Sequence, residues 1–157
     1  MTVRSAGILL YRESPTAELE VWIAHMGGPF WARKDERAWS IPKGEYLEDE
    51  DPLVAAKREF AEEMGVAAPA VGYLKLGTFR QPSGKLITAF AAESDFDPGK
   101  IVSNTFDLEW PKGSGVVRSY PEIDNAVWAT ASVARTKLVG GQVPILDALI
   151  QHLGGGV

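Results

Sequence analysis

Glu59, Glu62 and Glu63 fall at i, i+3 and i+4 within the stretch from Gly44 to Val66. On a helix those spacings stack the three carboxylates on one face, and clustered carboxylate oxygens are the ligands that hard divalent cations prefer. The alternative is the solvated face of an ordinary amphipathic helix, and spacing alone leaves both readings open. Two features favour the cation. Glu59 and Glu63 repel each other across one helical turn, at a cost of roughly 0.2–0.5 kcal/mol that a bound cation relieves. The negative charge is also local. Residues 44–66 carry eight acids against Lys57 and Arg58, a net of −6, whereas the whole chain is −5, so everything outside the segment sums to +1.

The element that must position these acids is a helix with its own start and stop signals. Asp51 is a capping residue, Pro52 suits the first helical position, and Gly65 ends the run. Between them the residues mostly favour helix, with few β-branched side chains. Leu53, Ala56, Phe60 and Met64 recur at helical spacing, and at ~100° per residue their stripe is centred roughly 100° from the acids. One face of the helix is suited to a core and another to charge.

The same stretch resembles a known signature. Gly44, Glu50, the pair Arg58 and Glu59, Phe60, the pair Glu62 and Glu63, Gly65 and Val66 follow the order and intervals of the Nudix box of the Nudix hydrolases. Phe60 is the one departure: the family usually has an aliphatic residue there, and Phe keeps the position apolar. The resemblance implies an α/β/α sandwich with a mixed sheet, a central box helix and a C-terminal helix. It implies metal-assisted hydrolysis of a phosphoanhydride, with water attacking phosphorus in line and Mg2+ or Mn2+ held by Glu59, Glu62 and Glu63. Glu62 and Glu63 are also carried over as catalytic residues. Arg58 is expected to pair with a box carboxylate and fix its rotamer. Gly44 permits a turn that a side chain would obstruct, Glu50 either orients backbone amides or completes an outer metal shell, and the resemblance places both with the metal site.

A general base is also required. The resemblance leaves two sources, a box glutamate or an acid from a downstream loop. Glu122 lies where the family often carries such an acid, its other reading being a surface loop carboxylate; Glu93, Asp95 and Glu109 are weaker alternatives. Trp39, Pro42, Lys43 and Gly44 resemble the lead-in of the diadenosine polyphosphate hydrolases, in which the lysine lies close to the phosphate chain. Trp31, Trp39 and Tyr73 are candidates to stack on a purine; large aromatics commonly serve as core, so at most one is expected to do so. Where that branch often shows a tyrosine past the box, this chain has residues 80–84 without one, and Pro82 there resembles the proline of ADP-ribose pyrophosphatases. Turn chemistry alone also accounts for a proline at that point.

The 157 residues, 45% hydrophobic, suit one domain over 1–153, followed by a Gly-rich tail, 154–157, expected to fray. With no cysteine, neither a disulfide framework nor a thiolate metal site can form. No signal-like segment opens the chain and no apolar stretch approaches the ~18 residues of a membrane span, so a cytoplasmic location is expected. An acidic balance without a basic stripe argues against nucleic acid as the main partner. Strands are predicted at 5–11, 19–25, 71–79, 86–93, 104–109 and 123–129. A turn at 13–16 joins the first two, 38–42 is a short extended piece, and helix is predicted over 132–153, interrupted at Gly140 and Gly141. Two functions follow. One is a pyrophosphohydrolase acting on a nucleoside diphosphate-linked small molecule, a dinucleoside polyphosphate or nucleoside triphosphate ahead of ADP-ribose or a nucleotide sugar. The other is a module of the same fold that binds a nucleotide or protein without hydrolysis. Monomer and homodimer both stay open.

Overall fold

A computed structural model describes residues 2–13 and 18–154. Residues 14–16 of the expected turn and the tail beyond Gly154 lie outside the described residues. Strands β1 (Arg4–Glu13), β2 (Leu19–Met26), β3 (Trp39–Ser40), β4 (Lys43–Glu45), β5 (Leu74–Arg80), β6 (Leu86–Glu93) and β9 (Ile123–Thr130) form one mixed sheet. Its order is β3-β2-β1-β6-β5, with β4 also pairing β1 and β9 also pairing β2. Among the described residues β1 and β6 are the one parallel pair of strands, in register from Arg4 opposite Leu86 to Tyr11 opposite Glu93.

β1 is central and reads as a continuous buried run from Ser5 to Leu10, as a strand covered on both faces must. Its side chains alternate between two cores. Leu9 joins Val21, Ile23, Ile87 and Ala89 beneath α2 (Ala131–Lys137) and α3 (Val143–His152), which contribute Ala134, Ile145, Leu146 and Leu149. Ile8 and Leu10 join Trp22, Ala24 and Phe90 beneath α1 (Pro52–Met64), which contributes Ala55, Ala56, Phe60 and Met64. The result is the expected α/β/α sandwich, with the box helix on one face and the C-terminal helices on the other. Among the described residues no helix is long and apolar enough to cross a membrane.

α1 begins and ends where its signals lie. Asp51 accepts a hydrogen bond from the Val54 N–H at 3.0 Å, and Gly65 closes the helix at φ 79° with its N–H donating to Ala61 O at 2.8 Å. A cap of the Asp51 kind contributes about 1 kcal/mol. The C-terminal helix is in two pieces, split by a 3₁₀ turn at Gly140–Gln142, with Pro144 in the first turn of α3.

Two expectations need revision. The strand predicted from 71 begins at Leu74 and is bulged between Lys75 and Gly77. The strand at 104–109 is β7 (Thr105–Glu109) and stands outside the main sheet, in a ribbon with β8 (Val117–Pro121) that pairs Phe106 with Tyr120. β8 has too little apolar alternation to be read from sequence. The Glu face of α1 is not wholly a solvent face either, since Glu63 is only 6% exposed.

Candidate active site

Of the acids of α1, Glu63 is buried and Glu59 half-buried against a strand, while Glu62 is exposed. β4 runs antiparallel to β1, setting Gly44 opposite Ala6, and so lays its backbone across the helix. A methyl group added at Gly44 would collide with the carboxylate of Glu59. One residue earlier, the Lys43 N–H donates to Glu63 Oε1 at 3.3 Å. On the outer side, Arg58 splits its guanidinium between two acids, donating to Glu59 Oε2 at 2.9 Å and to Glu50 Oε1 at 3.0 Å. Arg58 therefore pairs with two box carboxylates, where the sequence reading expected one.

A cavity of about 370 Å³ opens above this junction, walled by Lys43, Gly44, Glu59, Glu62, Glu63 and Glu122. Glu122 arrives from the loop before β9 through three backbone bonds. Its N–H donates to Asn104 O at 2.9 Å, the Asn104 N–H donates to Glu62 O at 2.8 Å, and Glu122 O accepts from the Gly27 N–H at 2.8 Å. The chain thus ties the end of α1, the start of β7 and the loop before β9 into one wall.

Crowding of like charge shows in the acids. Burial, opposed by the Lys43 ammonium and reinforced by Glu122 and Glu59, pushes the Glu63 carboxyl up to about 8. Glu59 is raised by burial and then by Glu62, and Glu122 by burial and Glu62 against the pull of Lys43. Burial lowers Lys43 below the usual lysine range despite Glu63 beside it.

This donor set fits a hard divalent cation. All the acids supply oxygen, their mutual repulsion is what a cation relieves, and the buried Ser5 Oγ, in the same cavity wall, has no hydrogen-bond partner. Among the described residues no three acid or histidine side chains are already drawn into a ligand set. Glu59 is turned toward Arg58, and Glu63 toward the Lys43 N–H.

Other residues singled out from sequence fall elsewhere. Glu50 is held by Arg58 at the edge of a neighbouring recess and does not line the acid cavity. Trp39 is a core residue, 6% exposed, its indole N–H donating to Asp35 Oδ1 at 2.8 Å and its ring edge-on to His25; it cannot stack on a ligand. Tyr73 donates to Pro69 O at 2.6 Å and carries the Lys57 ammonium over its ring, away from the cavity. Trp31 does reach the site, lining a recess of about 250 Å³ that shares Lys43, Glu63 and Glu122 with the acid cavity. Glu109 caps the turn after β7, accepting from the Gly113 and Gly115 N–H groups, and Glu93 and Asp95 are not in the cavity wall.

Ser5, Lys85, Asn104 and Phe106 also line the site and carried no sequence signal. Ser5 and Phe106 lie in strands, and Lys85 and Asn104 immediately precede β6 and β7, so sheet pairing sets the approach of all four.

The family model described as NUDIX domain matches residues 1–149. Similar solved structures include the NUDIX domain of NrtR from Shewanella oneidensis complexed with ADP ribose, at 15% identity and TM-score 0.66 over 98% of this chain and 89% of that one. An Ap4A hydrolase from C. elegans, in a binary complex, matches at 19% identity and TM-score 0.64 over 96% and 98%. A mutT/nudix family protein from Listeria innocua matches at 15% identity and TM-score 0.65 over 97% and 94%. At these identities the structures attest the fold, while the family model spans nearly the whole chain and agrees with the box at Gly44 to Val66: the chain belongs to the NUDIX family, the Nudix hydrolases.

Proposed function

We propose that this protein hydrolyses a phosphoanhydride bond in a nucleoside diphosphate-linked compound, by attack of water on phosphorus with Mg2+ or Mn2+ as cofactor. The observation that carries this reading is the meeting of Glu59, Glu62, Glu63 and Glu122 with Lys43 in one cavity. A bound divalent cation supplies charge neutralisation on the phosphates and activation of water. Glu59, Glu62 and Glu63 would hold it, with Arg58 fixing the Glu59 rotamer and Glu50 buttressing Arg58. Glu122 is the general base in this reading: it stands in the cavity wall with Glu62 and Glu63, and burial raises its carboxyl above the usual range, which makes it a stronger proton acceptor. As the water oxygen bonds to phosphorus, the bridging P–O bond breaks, the water proton passes to Glu122, and the leaving phosphate departs as an anion. Lys43 offsets phosphate charge during this exchange.

The substrate proposed is a dinucleoside polyphosphate or a nucleoside triphosphate. The Trp39 to Gly44 lead-in and the shared fold of an Ap4A hydrolase support it. Pro82 and the ADP ribose complex of the NrtR domain favour a second reading, an ADP-ribose pyrophosphatase.

Phosphatase-coupled phosphate release from diadenosine polyphosphates, nucleoside triphosphates, ADP-ribose and nucleotide sugars tests the reading, with Mg2+, with Mn2+ and with neither. Metal-dependent cleavage of one class is expected. Silence across the panel, with metal binding intact, would favour a non-hydrolytic binding module.

A further inference from the structure

Lys85 stands in the wall of the acid cavity and also in that of a second recess of about 470 Å³. Arg80, Ser83 and Gly84 of the β5–β6 turn line the rest of that recess, together with Thr2 and Val3. The two walls differ in charge: carboxylates outnumber lysines around the first, whereas the second holds Arg80 and Lys85 and no acid. Among the described residues Arg80 makes no ion pair. The nearest carboxylate to Lys85 is that of Glu45, 4.0 Å away and 67% exposed, which is a weak tether. Two cations share a recess with little to neutralise them.

Their positions are set by the backbone. The Gln81 N–H donates to Lys85 O at 2.7 Å and the Gly84 N–H to Gln81 O at 2.8 Å, closing the turn between the two cations. The Gln81 side-chain amide donates to Gly141 O at 2.9 Å, pinning the turn to the 3₁₀ segment. A turn pinned this way loses little loop freedom on binding. The two ends of the site also differ in chemistry. Trp31 and Phe106 line the recess that shares Lys43, Glu63 and Glu122 with the acid cavity, and no aromatic ring lines the recess that shares Lys85 with it.

We propose that Arg80 and Lys85 form an anion subsite for phosphates that extend beyond the cleaved linkage, so that chains like tripolyphosphate bind in preference to diphosphates. The location of that linkage rests on the hydrolase reading above; the anion subsite does not. The paired cations suit phosphate, because Arg offers a planar fork of donors and Lys a mobile point charge.

Calorimetric titration of the full chain with the magnesium salts of inorganic tripolyphosphate and pyrophosphate tests this directly. The unmodified protein is expected to favour tripolyphosphate, and the double variant Arg80→Ala, Lys85→Ala to lose about tenfold of that preference. Arg80→Lys with Lys85→Arg keeps both charges and should restore most of it; circular dichroism checks folding. An unchanged ratio in the alanine variant, or no tripolyphosphate preference in the unmodified protein, overturns the subsite. If the ratio depends on the two cations but no nucleotide is cleaved with either metal, the subsite stands and the hydrolase reading fails. If nucleotides are cleaved and the ratio ignores the cations, the subsite alone fails.

Discussion

Gly44 and Glu59 are in direct contact, the backbone of β4 resting where a side chain would displace the helix carboxylate. The glycine that opens the box is therefore required by steric exclusion. Gly44 is absent from the residues with positive φ, so backbone freedom is not the reason. Gly44→Ala is expected to push Glu59 off Arg58, lowering turnover and Mn2+ affinity about 10–100-fold, the usual effect of disturbing a ligand's support. Overpacking should also cost about 1–3 kcal/mol of stability. Steady-state kinetics with a metal titration reads the first effect and thermal melting the second. An alanine variant with normal metal affinity would mean Glu59 is not a ligand.

Arg58 bridges Glu50 and Glu59 with two separate nitrogens, a geometry a lysine cannot reproduce. Arg58→Lys should therefore recover little of the activity lost in Arg58→Ala. Both pairs are partly exposed, so the stability change should stay under about 1 kcal/mol. Comparable turnover in the lysine variant and the parent would reduce Arg58 to a simple counter-charge.

Glu63 makes the metal-free protein sensitive to pH. Its carboxyl sits up to about 8 against an ordinary 4.5. Between these values the folded chain keeps a proton that the unfolded chain has released, so stability is full below 4.5 and falls as pH rises through the window. Glu59 and Glu122, also raised, act in the same direction. Lys43, lowered by burial, has the opposite sign, in a window ending at its ordinary 10.5. Melts of chelator-treated protein from about pH 5 to 8 should show falling Tm, with the loss on the order of a few kcal/mol. Glu63→Gln should flatten most of that slope while cutting turnover by orders of magnitude. A slope left intact by the substitution would show that another group titrates.

Trp31 and Trp39 should separate cleanly. Trp39→Ala removes a core side chain and should cost about 3–5 kcal/mol. Trp31→Ala, at a half-buried ring on the edge of the core, should lower the melting temperature less than Trp39→Ala does and raise KM for nucleotides several-fold, since its ring lines the recess beside Lys43 and Glu122. Equal KM for parent and Trp31→Ala would remove the ring from substrate binding.

The parts of the site that sequence reading reached are those governed by local rules. A helix repeats every ~3.6 residues, so Glu59, Glu62 and Glu63 share a face, and Asp51 and Gly65 bound it, whatever else the chain does. Choosing among Trp31, Trp39 and Tyr73 was beyond it, because a tryptophan suits a core and a ligand wall equally well by composition. β8 was missed for a related reason: its pairing with β7 is written in the partner strand and the turn, not in its own alternation.

Local rules alone specify the box helix, its caps, its concentrated charge and the oxygen-rich chemistry it can support. Only the tertiary structure decided that Glu63 is buried, that Gly44 touches Glu59, and that Glu122, Asn104, Lys85 and Phe106 surround them. These contacts join residues far apart along the chain. They arise from strand pairing and from backbone bonds such as that between the Asn104 N–H and Glu62 O, which depend on the whole sheet closing at once.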